Sequence, residues 1–144
     1  MIGQILNRKG KKKNMSQRQK ILIVDDAKFN RDILKEFLGD IYDYLEAENG
    51  NQAVQIMEEN LGIDLMLLDI NMPQMDGFEV LEWMKLSKCI EETPVIMISS
   101  EESVDAMRKA YEMGITDYIT RPFDSVIVKK RVQNTLGLYA NQKR

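Results

Sequence analysis

Five short apolar segments recur along this chain, and each is followed by a longer stretch whose apolar residues fall three or four apart. That alternation of strand-like and helix-like patterns argues for a parallel sheet covered by helices on both faces. The strand segments are residues 20–25, 43–47, 64–69, 94–99 and 117–120. Three of them contain Ile-Leu-Ile-Val (21–24), Leu-Met-Leu-Leu (65–68) and Val-Ile-Met-Ile (95–98), with no polar residue interleaved. Strands of this kind are buried on both sides, so these three are predicted to be central.

The spacing predicts helices over 28–38, with Ile33, Leu34, Phe37 and Leu38 facing inward, and over 51–60, with Ala53, Val54, Ile56 and Met57. Further helices are predicted over 78–86, over 103–113 with Val104, Met107, Ala110 and Tyr111, and over 124–139. Gly39, Gly62 and Gly114 fall where helices should stop and are read as C-terminal caps. The expected fold class is α/β, a five-stranded parallel sheet of doubly wound (βα)5 type in a single domain.

Composition narrows the chemistry. The 144 residues include no histidine and one cysteine, Cys89. A histidine general base, a Ser-His-Asp triad, a histidine-containing zinc site, an intrachain disulfide and a multi-cysteine metal centre are therefore excluded. Carboxylates, hydroxyls, lysine and arginine remain, a set suited to hard cations and phosphate. A reducing cytoplasm is the expected location, and no apolar run approaches the roughly 20 residues of a membrane span.

The net charge of −3 is unevenly distributed, because the first 20 residues carry seven basic groups and no acid, whereas residues 21–144 carry 13 basic against 23 acidic groups. Residues 1–18 read as a basic, disordered arm, residues 19–137 as the domain, and residues 138–144 as an extension of the last helix toward a connector. So acidic a body is a poor partner for nucleic acid, whose binding relies on phosphate neutralisation.

In an open parallel sheet, ligands bind outside the carboxyl ends of the strands. The first strand ends in Asp25-Asp26, the third in Asp69, the fourth in Ser99-Ser100, and the fifth runs into Thr120-Arg121-Pro122. Each aspartate alone reads equally as a turn or cap residue. Three carboxylates on one rim, however, repel one another unless a cation compensates. Oxygen ligands without histidine or cysteine favour Mg²⁺.

Four segments then occur in order: Ile-Val-Asp-Asp at 23–26, Leu-Asp-Ile-Asn-Met-Pro-Gln-Met-Asp-Gly at 68–77, Ile-Ser-Ser at 98–100 and Arg-Pro-Phe at 121–123. Together they resemble the receiver domain of bacterial two-component response regulators, a flavodoxin-like, CheY-like fold, over residues 19–137. The resemblance implies that Asp69 accepts a phosphoryl group from a phosphohistidine on a sensor histidine kinase or phosphotransfer protein, so that the imidazole belongs to the partner. It also implies Mg²⁺ held directly by Asp26 and Asp69, with Asp25 close by through water and the backbone carbonyl of Asn71 as a further ligand. Ser99 would bond the phosphoryl group, Tyr118 would be the aromatic switch, and Arg121 stands where the family usually has lysine. Asn71 and Glu101 occupy positions that influence loss of the phosphoryl group.

Such a protein is a signalling switch rather than an enzyme, catalysing only its own phosphorylation and slow dephosphorylation. Its output face is formed by the fourth helix, fifth strand and fifth helix, which would engage an output domain, a partner protein or a second copy in a homodimer. The last helix resembles that of receivers joined to cyclic-dinucleotide or HD-type output domains. Two other readings stay open: a degenerate receiver acting without phosphate, and a Mg²⁺-dependent phosphatase with an aspartate nucleophile. Against the latter, the second residue after Asp69 is Asn71, where such enzymes carry an acid/base aspartate, and no room exists for a cap domain.

Overall fold

The computed structural model describes residues 18–100 and 103–142. The basic arm, apart from Arg18, lies outside the described residues, as do Glu101 and the end of the expected connector. Arg18 itself is docked, its guanidinium donating to Asp40 at 2.8 Å and to the carbonyl of Tyr42 at 3.1 Å.

The chain runs β1 (Lys20–Val24), α1 (Lys28–Leu38), β2 (Asp43–Ala47), α2 (Gly50–Glu58), β3 (Leu65–Asp69), α3 (Gly77–Leu86), a 3₁₀ turn (Cys89–Glu91), β4 (Val95–Ser99), α4 (Val104–Glu112), β5 (Asp117–Thr120) and α5 (Ser125–Gln142). All five strands are parallel, in the order β2-β1-β3-β4-β5. The three uninterrupted apolar strands are the central ones, as expected.

Those strands show no alternation because both faces are buried, yet successive side chains still point to opposite sides. Leu22, Val24, Met66, Leu68, Val95 and Met97 join Ala53, Val80, Leu81, Met84 and Ala110 in the layer under α2, α3 and α4. Ile21, Ile23, Leu65, Leu67, Ile96 and Ile98 join Leu34, Leu38, Val128, Val132 and Leu136 under α1 and α5. Each fully buried aliphatic side chain contributes about 1.5–3 kcal/mol relative to exposure, so two layers fix the sheet between them.

Three expectations change. On α1 the innermost residues are Arg31, Leu34 and Leu38, while Ile33 and Phe37 are only half-buried on its flank. On α4 only Ala110 is buried, and Val104 and Tyr111 are exposed by 65% and 44%; a helix over the sheet margin at β5 needs only a narrow apolar stripe. Finally, Gly39 and Gly114 close α1 and α4 with φ of +88° and +107°, but α2 stops at Glu58 and Asn60 takes the left-handed turn (φ +53°), leaving Gly62 in the loop before β3.

Helix starts are well capped. Asn49 accepts from the Gln52 N–H, Asp76 and Glu79 form a reciprocal capping box, Ser103 accepts from Ala106, and Asp124 accepts from Val126 and Ile127. Helix α1 differs: it begins at Ala27 without a capping side chain. Instead the Ala27 N–H donates to the Asp25 carboxylate at 2.9 Å.

Candidate functional site

Register brings the site together. Val24 of β1 pairs with Leu68 of β3, so Asp25 and Asp69 emerge level with each other. Asp69 pairs with Ile98 of β4, and Ser99 pairs with Thr120 of β5. Oxygens of Asp25, Asp26 and Asp69 lie within 4.8 Å of one another, with Asp25 and Asp69 buried and Asp26 exposed. Gly77 lets the start of α3 close over this end of β3, because a Cβ there would sit 2.5 Å from the Asp69 carbonyl oxygen. The Gly77 N–H donates to the Ile70 carbonyl at 2.8 Å.

Asp25 uses both carboxylate oxygens. Oδ1 accepts from the Ala27 N–H, Oδ2 accepts from Nη2 of Arg121, and Asn30 Nδ2 stands 3.4 Å from each. On Asp69, Oδ1 accepts from the Asn71 N–H at 3.4 Å and lies 3.6 Å from Nη1 of Arg121. The Asp69 carboxyl is pushed up to about 6, chiefly by burial and next by the charge of Asp25, while Arg121 and the Asn71 N–H pull in the opposite direction. Arg121 therefore bridges the two buried acids. Its Nε is buried with no hydrogen-bond partner among the described residues, and its backbone N–H donates to the Ser99 carbonyl at 2.8 Å. The Arg121–Pro122 peptide is cis.

The other expected residues fall as follows. Ser99 is fully buried at the end of β4, and Tyr118 is 4% exposed among the apolar residues of the α4 side. Asn71 lies on the exposed loop after β3. Cys89 and Trp83 pack half-buried against the core under α3, away from the rim.

One residue escaped sequence reading. Arg31 is buried on α1, with Nη1 donating to the Asp25 carbonyl at 2.7 Å and Nε donating to Glu46 Oε1 at 2.8 Å. Glu46 also accepts from Lys35 at 2.6 Å; that bond first, and Arg31 second, hold its carboxyl below the usual range. The available signal was a cation in step with Leu34 and Leu38 on the inner stripe of the helix.

Beside the acidic cluster, Ile33, Phe37, Pro122 and Phe123 line an open apolar groove of about 480 Å³ that reaches Arg121. Phe37 and Phe123 meet edge to face with centroids 5.9 Å apart. On the α4 side, Asp117 accepts from Tyr111 Oη and from Arg131 Nη1, both at 3.3 Å. No helix among the described residues is long and apolar enough to cross a membrane.

Residues 21–133 match the family model described as the response regulator receiver domain. A chemotaxis protein CheY homolog of Campylobacter jejuni is 32% identical over 120 residues, which span 82% of this chain and 92% of that protein. A probable cyclic di-GMP phosphodiesterase of Vibrio cholerae is 34% identical over 116 residues, 81% of this chain but 26% of that protein. A CheY-like response regulator receiver domain protein from Methanospirillum hungatei superposes with a TM-score of 0.78 at 26% identity, covering 88% of this chain and 99% of the other. With the parallel 2-1-3-4-5 sheet and the acidic rim, these matches show that the chain belongs to the receiver domain family of two-component response regulators.

Proposed function

We propose that this chain is a phosphoacceptor switch in the cytoplasm and that Asp69 takes the phosphoryl group. The convergence of Asp25, Asp26 and Asp69 at the carboxyl ends of adjacent strands carries this reading. A carboxylate oxygen of Asp69 attacks phosphorus on a partner's phosphohistidine; the P–O bond forms, the P–N bond breaks and the imidazole leaves with the partner. The partner is a histidine kinase or phosphotransfer protein, and the apolar groove beside Arg121 is the surface adjoining its line of approach.

The donor set suits Mg²⁺: hard carboxylate oxygens from three aspartates, two of them buried and bridged by the Arg121 guanidinium. Asp25, Asp26, Asp69 and the Asn71 carbonyl would hold the ion, which when bound offsets charge on the phosphoryl oxygens. Ser99 donates its hydroxyl to a phosphoryl oxygen, and Arg121, once released from Asp25 and Asp69, is free to supply a second positive contact. The Tyr118 ring is already inward, so phosphorylation holds a seated ring in place rather than drawing it in. The face of α4, β5 and α5 then carries the signal to an output domain, a partner or a second copy of the chain, with Val104, Val126 and Ile127 exposed on it.

Incubation with Mg²⁺ and a small acyl phosphate, followed by intact mass, tests the assignment. Wild type should gain one phosphoryl group and Asp69→Asn none. An unmodified wild type, or an equally modified variant, rejects it.

A further inference from the structure

We propose that Arg121 is an internal counter-cation that competes with a divalent metal for Asp25 and Asp69, so that the ion binds only as the guanidinium withdraws. The inference rests on reading the acidic rim as the metal site of a receiver. Both oxygens of Asp25 are engaged, Oδ1 by the Ala27 N–H and Oδ2 by Arg121, so a metal ion at the rim meets the positive charge of the guanidinium at the same carboxylate. The planar fork of arginine spans two acids at once, through Nη2 to Asp25 and Nη1 to Asp69; a lysine ammonium is a single point charge.

The seat is also incomplete. Among the described residues, Nε of Arg121 is buried without a partner, so leaving the rim forfeits no bond to them at that atom and restores its hydration. An exit exists as well: the side chain is 21% exposed and borders the apolar groove, along which its methylenes can lie while the charge reaches water. Metal-free protein is thus held together at the rim by its own cation, and the metal requirement for signalling is raised.

Calorimetric titration of the full chain with Mg²⁺ alone, joined to melting curves with and without Mg²⁺, tests this. Arg121→Met should bind Mg²⁺ about tenfold more tightly than wild type, since a neighbouring positive charge is removed. It should melt lower than wild type without metal and show the larger Mg²⁺-induced rise. Arg121→Lys, which keeps the charge but not the fork, should bind about threefold more tightly and carries the test if the methionine variant does not fold. Equal or weaker Mg²⁺ affinity in the folded variants overturns the proposal. If wild type nevertheless takes a phosphoryl group on Asp69, only the role of Arg121 falls; if none of the proteins binds Mg²⁺, the receiver reading falls with it.

Discussion

The corner where β1 meets α1 and the face formed by α4, β5 and α5 are built in opposite ways. At the corner, polar groups are buried and joined: Asp25 to Ala27, Asn30 and Arg121, Arg31 to the Asp25 carbonyl and Glu46, and Glu46 onward to Lys35. On the face, α4 buries one residue, Ala110, and leaves Val104 and Tyr111 in solvent. A buried network of paired charges has few alternative arrangements, because any rearrangement strands a desolvated group unless an incoming cation replaces the partner that leaves. A helix resting on a narrow stripe can move at small cost. The molecule therefore pairs a tightly bonded polar corner with a loosely covered face, joined by the β5 strand and the turn after it, where Tyr118 and Arg121 stand three residues apart.

Breaking the corner should have the largest effect. Arg31→Met leaves the Asp25 carbonyl without its side-chain donor and Glu46 with Lys35 alone, and should cost about 2–3 kcal/mol in urea unfolding, somewhat less than a fully buried pair because Glu46 is partly solvated. A loss under about 0.5 kcal/mol, within the range of ordinary surface substitutions, would mean that Arg31 does not hold the corner.

The corner also contains its own tension. Asp69 titrates near 6 in the metal-free fold against about 3.9 unfolded. A raised carboxyl opposes folding once ionised, so its penalty grows from about pH 4 to 6 and is complete above that. Asp69→Asn should then stabilise the chelator-treated protein by about 1–2 kcal/mol at pH 7.5, with the gain vanishing near pH 4. Equal unfolding midpoints at pH 7.5 would contradict it.

Intermediate effects belong to the boundary between the regions. Asp124→Ala removes the side chain that caps α5 and should lower stability by about 1 kcal/mol. Glu46 has a depressed carboxyl, bonded first by Lys35 and then by Arg31. Its contribution is present above the unfolded value of about 4.3 and is lost as pH falls through the lower folded value. Glu46→Gln should therefore flatten the stability profile below pH 5, by less than about 1 kcal/mol given its exposure to solvent.

Smallest of all should be changes on the face of α4, β5 and α5. Val104→Lys and Tyr111→Phe should shift monomer stability by no more than about 0.5 kcal/mol, and a loss above about 1 kcal/mol would erase the contrast between face and corner.

Much of this contrast was legible in the sequence. The uninterrupted apolar runs of β1, β3 and β4 identify central strands, since only burial on both faces removes the alternation. Strand ends carrying Asp25, Asp26, Asp69, Ser99 and Arg121 identify the rim. The inner faces of α1 and α4 were less legible. Helical periodicity marks an apolar arc but not how far a neighbouring layer covers it, so Val104 and Tyr111 looked buried, and Arg31 was overlooked among leucines.

The sequence by itself determined the fold class, the strand order of burial and the residues available for phosphate chemistry, because these follow from local periodicity and from which groups can ionise. Only the tertiary structure decided that Arg121 bridges Asp25 and Asp69, that Arg31 holds the loop beneath them, and that Tyr118 sits inward. Those facts depend on strand register and on side chains meeting across 96 positions of sequence for Arg121 and Asp25. No local pattern encodes such a meeting; it is settled when the two apolar layers lock the sheet and leave each charge the partners that remain within reach.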